Sequence, residues 1–206
     1  MLKLNRRAMI ALAAAATAAM TPVLAQETAT AAGPGDFSLG SPDAKVKLVE
    51  YASFTCPHCA NFHANAYGQL KKEYIDTGKV HFTLREVYFD RYGLWAALIA
   101  RCGGEMKYFG IHDMLYEKQK EWAGSEDPMQ VVENLKTIGR SAGLDDAAMD
   151  VCLNDTANAE ALIKQFQTNF ETDGVKGTPT FFINGTMYSN MAYEDMKAIL
   201  DAELAK

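Results

Sequence analysis

The chain has 206 residues, 49% of them hydrophobic, and a formal net charge of -6 at pH 7. That length suits one domain, or one domain carrying an insertion, with enough apolar residues for a sizeable core. The acidic balance argues against nucleic-acid binding.

Residues 1–25 read as a signal peptide. Lys3, Arg6 and Arg7 form a positive start, Ala8 to Met20 is an alanine-rich apolar run, and Val23-Leu24-Ala25 resembles a small-residue cleavage site. The run is short for a membrane span. Arg6-Arg7 matches a twin-arginine signal only in part. Removal of this segment takes away three basic residues and leaves the remainder at roughly -9. Export places the chain where disulfides persist, and a bacterial periplasm is the simplest destination. Residues 26–35, rich in Ala, Thr, Gly and Pro, read as a flexible lead-in.

Val46, Leu48 and Glu50 alternate as one face of a strand, and Phe62, Ala66, Leu70 and Tyr74 recur as a helix face. Val80, Phe82 and Leu84 mark a second strand. A helical block follows. Trp95, Leu98, Ile99 and Cys102 form one stripe, Tyr108 to Lys118 a further helix, and Asp127-Pro128 opens another with Val131, Val132, Leu135 and Ile138. Gly143 ends that helix, Asp145 caps the next, and Leu162, Phe166 and Phe170 mark one more. Thr180 to Ile183, the Asn184-Gly185 turn and Thr186 to Tyr188 read as a hairpin, followed by a helix with Met196, Ile199 and Leu200. The order is β-α-β, helical block, β-β-α, an α/β chain.

Cys56-Pro57-His58-Cys59 falls where the first strand hands over to the first helix. Unpaired N–H groups and the macrodipole at a helix N-terminus favour a thiolate on Cys56, and Cys59, one turn on, can close a disulfide with it. This is the layout of a thiol–disulfide exchange site. His58 can add to the effect by charge or by hydrogen bonding. Glu50 shares the inward face of its strand, where a carboxylate is costly without a role or a partner.

With Gly177-Thr178-Pro179-Thr180 entering the third strand, this arrangement resembles the thioredoxin fold. The Pro-His dipeptide and the inserted helices resemble the DsbA family of periplasmic thiol oxidases, over roughly residues 36–206. The resemblance implies a thioredoxin-like domain of residues 36–88 and 174–206, split by a helical domain of residues 89–173 between its βαβ and ββα halves. It implies a cis Thr178-Pro179 bond beside the cysteines, facing an extended substrate peptide. Many members of the family carry an aliphatic residue before this proline, where this chain has Thr178. An acidic residue at the position of Glu50 relays the proton of the buried cysteine in such families, so Glu50 is a candidate acid/base for Cys59; a paired structural carboxylate is the alternative.

The expected activity is donation of the Cys56–Cys59 disulfide to reduced exported proteins, by a monomer, with no cofactor beyond that disulfide and with reoxidation by a DsbB-like, quinone-linked membrane partner. A reductase or isomerase, or a thioredoxin-like module binding peptide or metal without turnover, is the alternative. A DsbC-type isomerase would need a dimerisation domain ahead of the fold, where only the lead-in is expected. Cys102 and Cys152 are expected to form a structural disulfide, with two buried free thiols as the alternative. No metal is expected: His63, four residues after Cys59, sketches a zinc site with the cysteines but lacks a fourth ligand. His81 and His112 read as isolated.

Overall fold

The structure, a computed structural model, describes residues 33–206; the expected signal peptide and residues 26–32 of the lead-in lie outside the described residues. Five strands form one mixed sheet: β1 (Phe37–Leu39), β2 (Val46–Ala52), β3 (Val80–Glu86), β4 (Thr180–Ile183) and β5 (Thr186–Ser189). Their order is β1-β3-β2-β4-β5. Strands β2 and β3 run parallel, as a helical crossover requires. The pairings of β1 with β3, β2 with β4 and β4 with β5 are antiparallel. At the β4–β5 turn both Asn184 (φ 45°) and Gly185 (φ 83°) take positive φ, which explains why that dipeptide marks a tight hairpin.

The crossover begins as α1 (Pro57–Phe62), passes through a π-helical stretch at His63–Tyr67 and a short α2 (Gly68–Leu70), and ends in a second π stretch at Lys71–Ile75. The two wide turns answer the sequence pattern. Four-residue spacing drifts about 40° per step on a 3.6-residue helix, yet Phe62, Ala66, Leu70 and Tyr74 are all buried. Inserted π turns re-align the stripe with the sheet.

Six helices separate β3 from β4: α3 (Arg91–Cys102), α4 (Gly104–Glu117), α5 (Gln119–Trp122), α6 (Pro128–Ser141), α7 (Asp146–Asn154) and α8 (Thr156–Thr172). Asp90, Asp127, Asp145 and Asp155 each cap the helix that follows with a side-chain oxygen. A last helix, α9 (Tyr193–Ala205), packs Met196 and Leu200 into the core. One apolar core joins the sheet face of Val46, Leu48, Phe82 and Leu84 to Ile99, Ile111, Leu115 and Leu135 of the helical block. Phe166 and Phe170 of α8 cover Tyr51, Val87 and Val175 on the other face of the sheet. Cys102 and Cys152 are joined in a disulfide that links α3 to α7.

Strand β1 is an element the sequence reading omits. It is three residues long at the sheet edge, too short to show alternation. Phe37 stacks on Tyr108 at 3.9 Å between ring centroids. Residues 33–35, at the end of the expected flexible lead-in, are tied to the helical block: the Arg101 guanidinium donates to the carbonyls of Gly33 (2.8 Å) and Gly35 (3.0 Å). Arg101 also pairs with Glu86 through Nε at 2.7 Å, both side chains nearly fully buried, and Glu86 accepts hydrogen bonds from Tyr88 and Tyr108.

A buried pair with satisfied lone pairs is far more costly to half-remove than to keep. Arg101→Leu is therefore expected to lower unfolding stability by about 3–5 kcal/mol, read from urea unfolding. A loss under about 1 kcal/mol, the range of a surface pair, would contradict this role for the pair.

Candidate active site

Strand β2 delivers the chain into a turn, Ser53-Phe54-Thr55, that is held from three sides. The Cys56 amide donates to the Ser53 carbonyl at 3.1 Å. Thr55 Oγ1 donates to Asp90 Oδ2 at 2.6 Å, the same carboxylate that caps α3. The Gln119 side-chain amide, from the helical block, donates to the carbonyls of Phe54 (2.8 Å) and Cys56 (2.9 Å). Gln119 carries no local signal in the sequence, because its partners lie more than sixty positions away.

Cys56 sits at the N-cap of α1 in an extended conformation (φ -76°, ψ 120°) with Pro57 at the first helical position. Its sulfur is partly exposed, while Cys59 is fully buried; both are free thiols. The Thr178–Pro179 bond is cis, and the Thr178 carbonyl oxygen lies 3.4 Å from Cys56 Sγ. The topology explains this approach: β4 lies beside β2, with Tyr51 opposite Thr180. The loop entering β4 therefore stands next to the turn leaving β2. Thr180 Oγ1 closes that loop on the Gly177 carbonyl at 2.7 Å.

The electrostatics of the two sulfurs diverge. The Cys56 pKa falls from 9.0 to about 5: the Cys59 thiol hydrogen-bonds it, burial opposes, and the Thr178 side chain and the backbone N–H groups of Cys59 and His58 add to the lowering. At pH 7 Cys56 is then almost wholly thiolate, where an ordinary cysteine is only a few per cent ionised. Cys59 moves the other way, raised by burial first, then by its bond to Cys56 and by the charge of Glu50. The imidazole of His58 is exposed, and it is the backbone of this residue that acts on Cys56.

Glu50 lies on β2 with 3% of its surface exposed. Burial, reinforced by the Cys56 charge, raises its pKa to about 8. A carboxyl in that range holds its proton at pH 7 and can still release it, which suits proton transfer to a buried sulfur. Among the described residues its carboxylate makes no hydrogen bond to a structural partner.

Among the described residues His63 joins no ligand cluster with the cysteines. It gathers with His112 and Asp113, their potential ligand atoms all within 4.8 Å of one another. His112 is thus not isolated, as the sequence suggested. It is buried against Phe54, Tyr67 and Tyr116, and it faces Asp113 at 2.9 Å. His81 is half-buried on β3, apart from this group.

A family model described as Thioredoxin matches residues 32–202. A protein of Rickettsia bellii (strain RML369-C) named "Putative protein-disulfide oxidoreductase" is 37% identical over 169 residues, 81% of this chain and 63% of that protein. The chain spans about six tenths of the length of the first curated relatives it matches. "Disulfide bond formation protein D" of Bacillus subtilis (strain 168) is 26% identical over 180 residues, 81% of this chain and 76% of that protein. Among solved structures, alpha-DsbA1 of Wolbachia pipientis superposes with a TM-score of 0.78 at 26% identity, covering 84% of this chain and 92% of that one.

Two measurements probe this geometry. The ultraviolet absorbance of the Cys56 thiolate should titrate with a midpoint of about 5. Because the folded value lies below the unfolded 9.0, thiolate stabilisation of the reduced chain is fully present above pH 9 and is lost as pH falls through 5. Burial, the larger cause of the Glu50 shift, acts in both redox forms, and only the smaller part due to the Cys56 charge belongs to the reduced chain. The stability of reduced relative to oxidised chain should therefore still decline from pH 9 to 5. A flat difference would contradict the shift. Separately, Gln119→Leu removes the side-chain donor of the Phe54 carbonyl and one of the two donors of the Cys56 carbonyl, which keeps the Ala60 amide. It is expected to lower stability by about 1–3 kcal/mol; unchanged unfolding would remove Gln119 from the site's support.

Proposed function

The chain belongs to the thioredoxin family, where its likeness is to DsbA proteins, and on that premise we propose that it is a thiol–disulfide oxidoreductase working as an oxidase of exported proteins. The observation that carries the direction is the opposite displacement of the two sulfurs: Cys56 lowered to about 5, Cys59 raised. A reduced pair whose exposed member rests comfortably as a thiolate makes the corresponding disulfide a strong oxidant.

In the forward reaction the site begins as the Cys56–Cys59 disulfide. A substrate thiolate attacks Cys56 Sγ, the more accessible sulfur; the new bond is the mixed disulfide, and the Cys56–Cys59 bond breaks. The electron pair goes to Cys59, which cannot stay ionised in its buried place and takes a proton. Glu50, protonated near neutral pH, supplies it. A second substrate thiolate then attacks the substrate sulfur of the mixed disulfide, and Cys56 leaves as thiolate. The substrate has lost two electrons and the chain has gained them. The Thr178 carbonyl, 3.4 Å from Cys56 Sγ, lies where an extended substrate backbone could pair beside the reacting sulfur. The Cys102–Cys152 bond joins two helices of the inserted block and takes no part in this exchange.

Turnover needs an acceptor for those electrons, and a DsbB-like, quinone-linked membrane protein fits that need. A periplasmic monomer is the setting this reading requires. Among the described residues no helix is long and apolar enough to cross a membrane. Reduction or isomerisation of client disulfides is the second reading, favoured only if the pair proves a weak oxidant.

The test is catalysed oxidation of a reduced, unfolded dithiol protein, followed by loss of free thiols. The oxidised chain should transfer one disulfide per chain, and Cys56→Ser should abolish transfer. Undiminished transfer by Cys56→Ser would reject the reading. Glu50→Gln should slow the steps that open or close the bond to Cys59 by about 10²-fold, with the Cys56 midpoint little moved; an unchanged rate would leave Glu50 a structural carboxylate.

A further inference from the structure

The His63, His112 and Asp113 cluster takes no part in the exchange chemistry, and its polar atoms converge at the edge of the core. From its geometry we infer that it is a binding site for one divalent transition-metal ion of the zinc class, set one helical turn beyond the cysteine pair. Imidazole and carboxylate donors suit that class of ion. Zinc bonds of about 2.0–2.2 Å place tetrahedral ligand atoms about 3.3–3.6 Å apart. His63 Nε2 and Asp113 Oδ1 already stand 3.7 Å apart, and His112 Nδ1 lies 2.9 Å from the same oxygen. The farthest pair of the three is within 4.8 Å, so a small rotation of Asp113 completes convergence. Asp113 has the freedom for it, with 44% of its side chain exposed, while the two imidazoles do not.

The imidazoles are held by packing rather than by solvent. His63 stacks between Tyr67 (4.6 Å) and Tyr116 (5.2 Å), and His112 meets the edges of Phe54 and Tyr116. The two imidazole rings lie 5.1 Å apart at 73° to each other, a crossed arrangement that two ligands of one ion can share. Fixing ligands before the ion arrives is what gives a site affinity.

A second observation points to an open position. A cleft of about 300 Å³ is lined by Ala60, His63, Ala64, Asp113, Tyr116 and Glu117. Two of the three donors, His63 and Asp113, line that cleft while His112 closes the site from the buried side. Three protein donors with a position left toward a cleft is the arrangement of an exchangeable site, with water or Glu117 in the fourth position, in contrast to a closed structural one. Its ligands come from the π stretch after α1 and from α4, so occupancy would bridge the crossover helix to the inserted block.

The site does not depend on the redox reading. It is tested on the oxidised chain, without an affinity tag, where Cys56 and Cys59 are sealed from metal. Titration with zinc chloride in a calorimeter should give one ion per chain with a Kd below about 100 μM. His63→Gln and Asp113→Asn should each weaken binding at least about 10-fold while circular dichroism stays unchanged. Binding weaker than about 100 μM, or affinity unmoved by either substitution, overturns the site. His112 is almost fully buried, so the test rests on His63 and Asp113, the two ligands that line the cleft.

Discussion

The structure depends on an inequality between two sulfurs one helical turn apart. Cys56 occupies a helix N-cap with solvent at hand, where the backbone of His58 and Cys59 favours its charge, whereas Cys59 is sealed in the core. One negative charge shared between such neighbours goes to the better-solvated, better-donated place. The other sulfur becomes its hydrogen-bond donor, which deepens the difference. The asymmetry comes from where a strand ends and a helix begins.

The surrounding elements keep that junction in register. Strand β2 is central in the sheet, so a carboxylate on its inward face is buried, and Glu50 is pushed to about 8 for that reason. The helical block contributes from the opposite side. Gln119 clamps the carbonyls flanking Thr55, Asp90 holds the Thr55 hydroxyl, and the buried pair of Arg101 with Glu86 joins the end of β3 to α3 and to residues 33–35. The insertion therefore does more than enlarge the core; it supplies donors to the loop that presents the nucleophile.

What was legible in the sequence was local. Cys56 to Cys59, the Asp127 and Asp145 caps, the Asn184-Gly185 turn and the alternation of β2 and β3 are each written within a few residues, and their chemistry follows from spacing alone. What was not legible joins distant segments. Gln119 meets Phe54 and Cys56 from 65 and 63 positions away. His63 and His112 meet only because α4 packs on the crossover helix, so in the sequence His112 stands isolated and His63 falls nearest the cysteines. Strand β1 is recognised by its partner β3, being too short to declare a period of its own. The four-residue stripe from Phe62 to Tyr74 did predict a helix, but the two π stretches that make the stripe geometrically consistent are a property of packing.

The most direct test of the central inequality is the redox equilibrium of the Cys56–Cys59 pair with glutathione, from which its reduction potential follows. A thiolate as stable as this geometry makes Cys56 should place the pair above the value of about -180 mV typical of protein disulfide isomerase. A potential near the roughly -270 mV of thioredoxin would contradict the account, since it would mean that the reduced pair gains no special stability from the place it occupies.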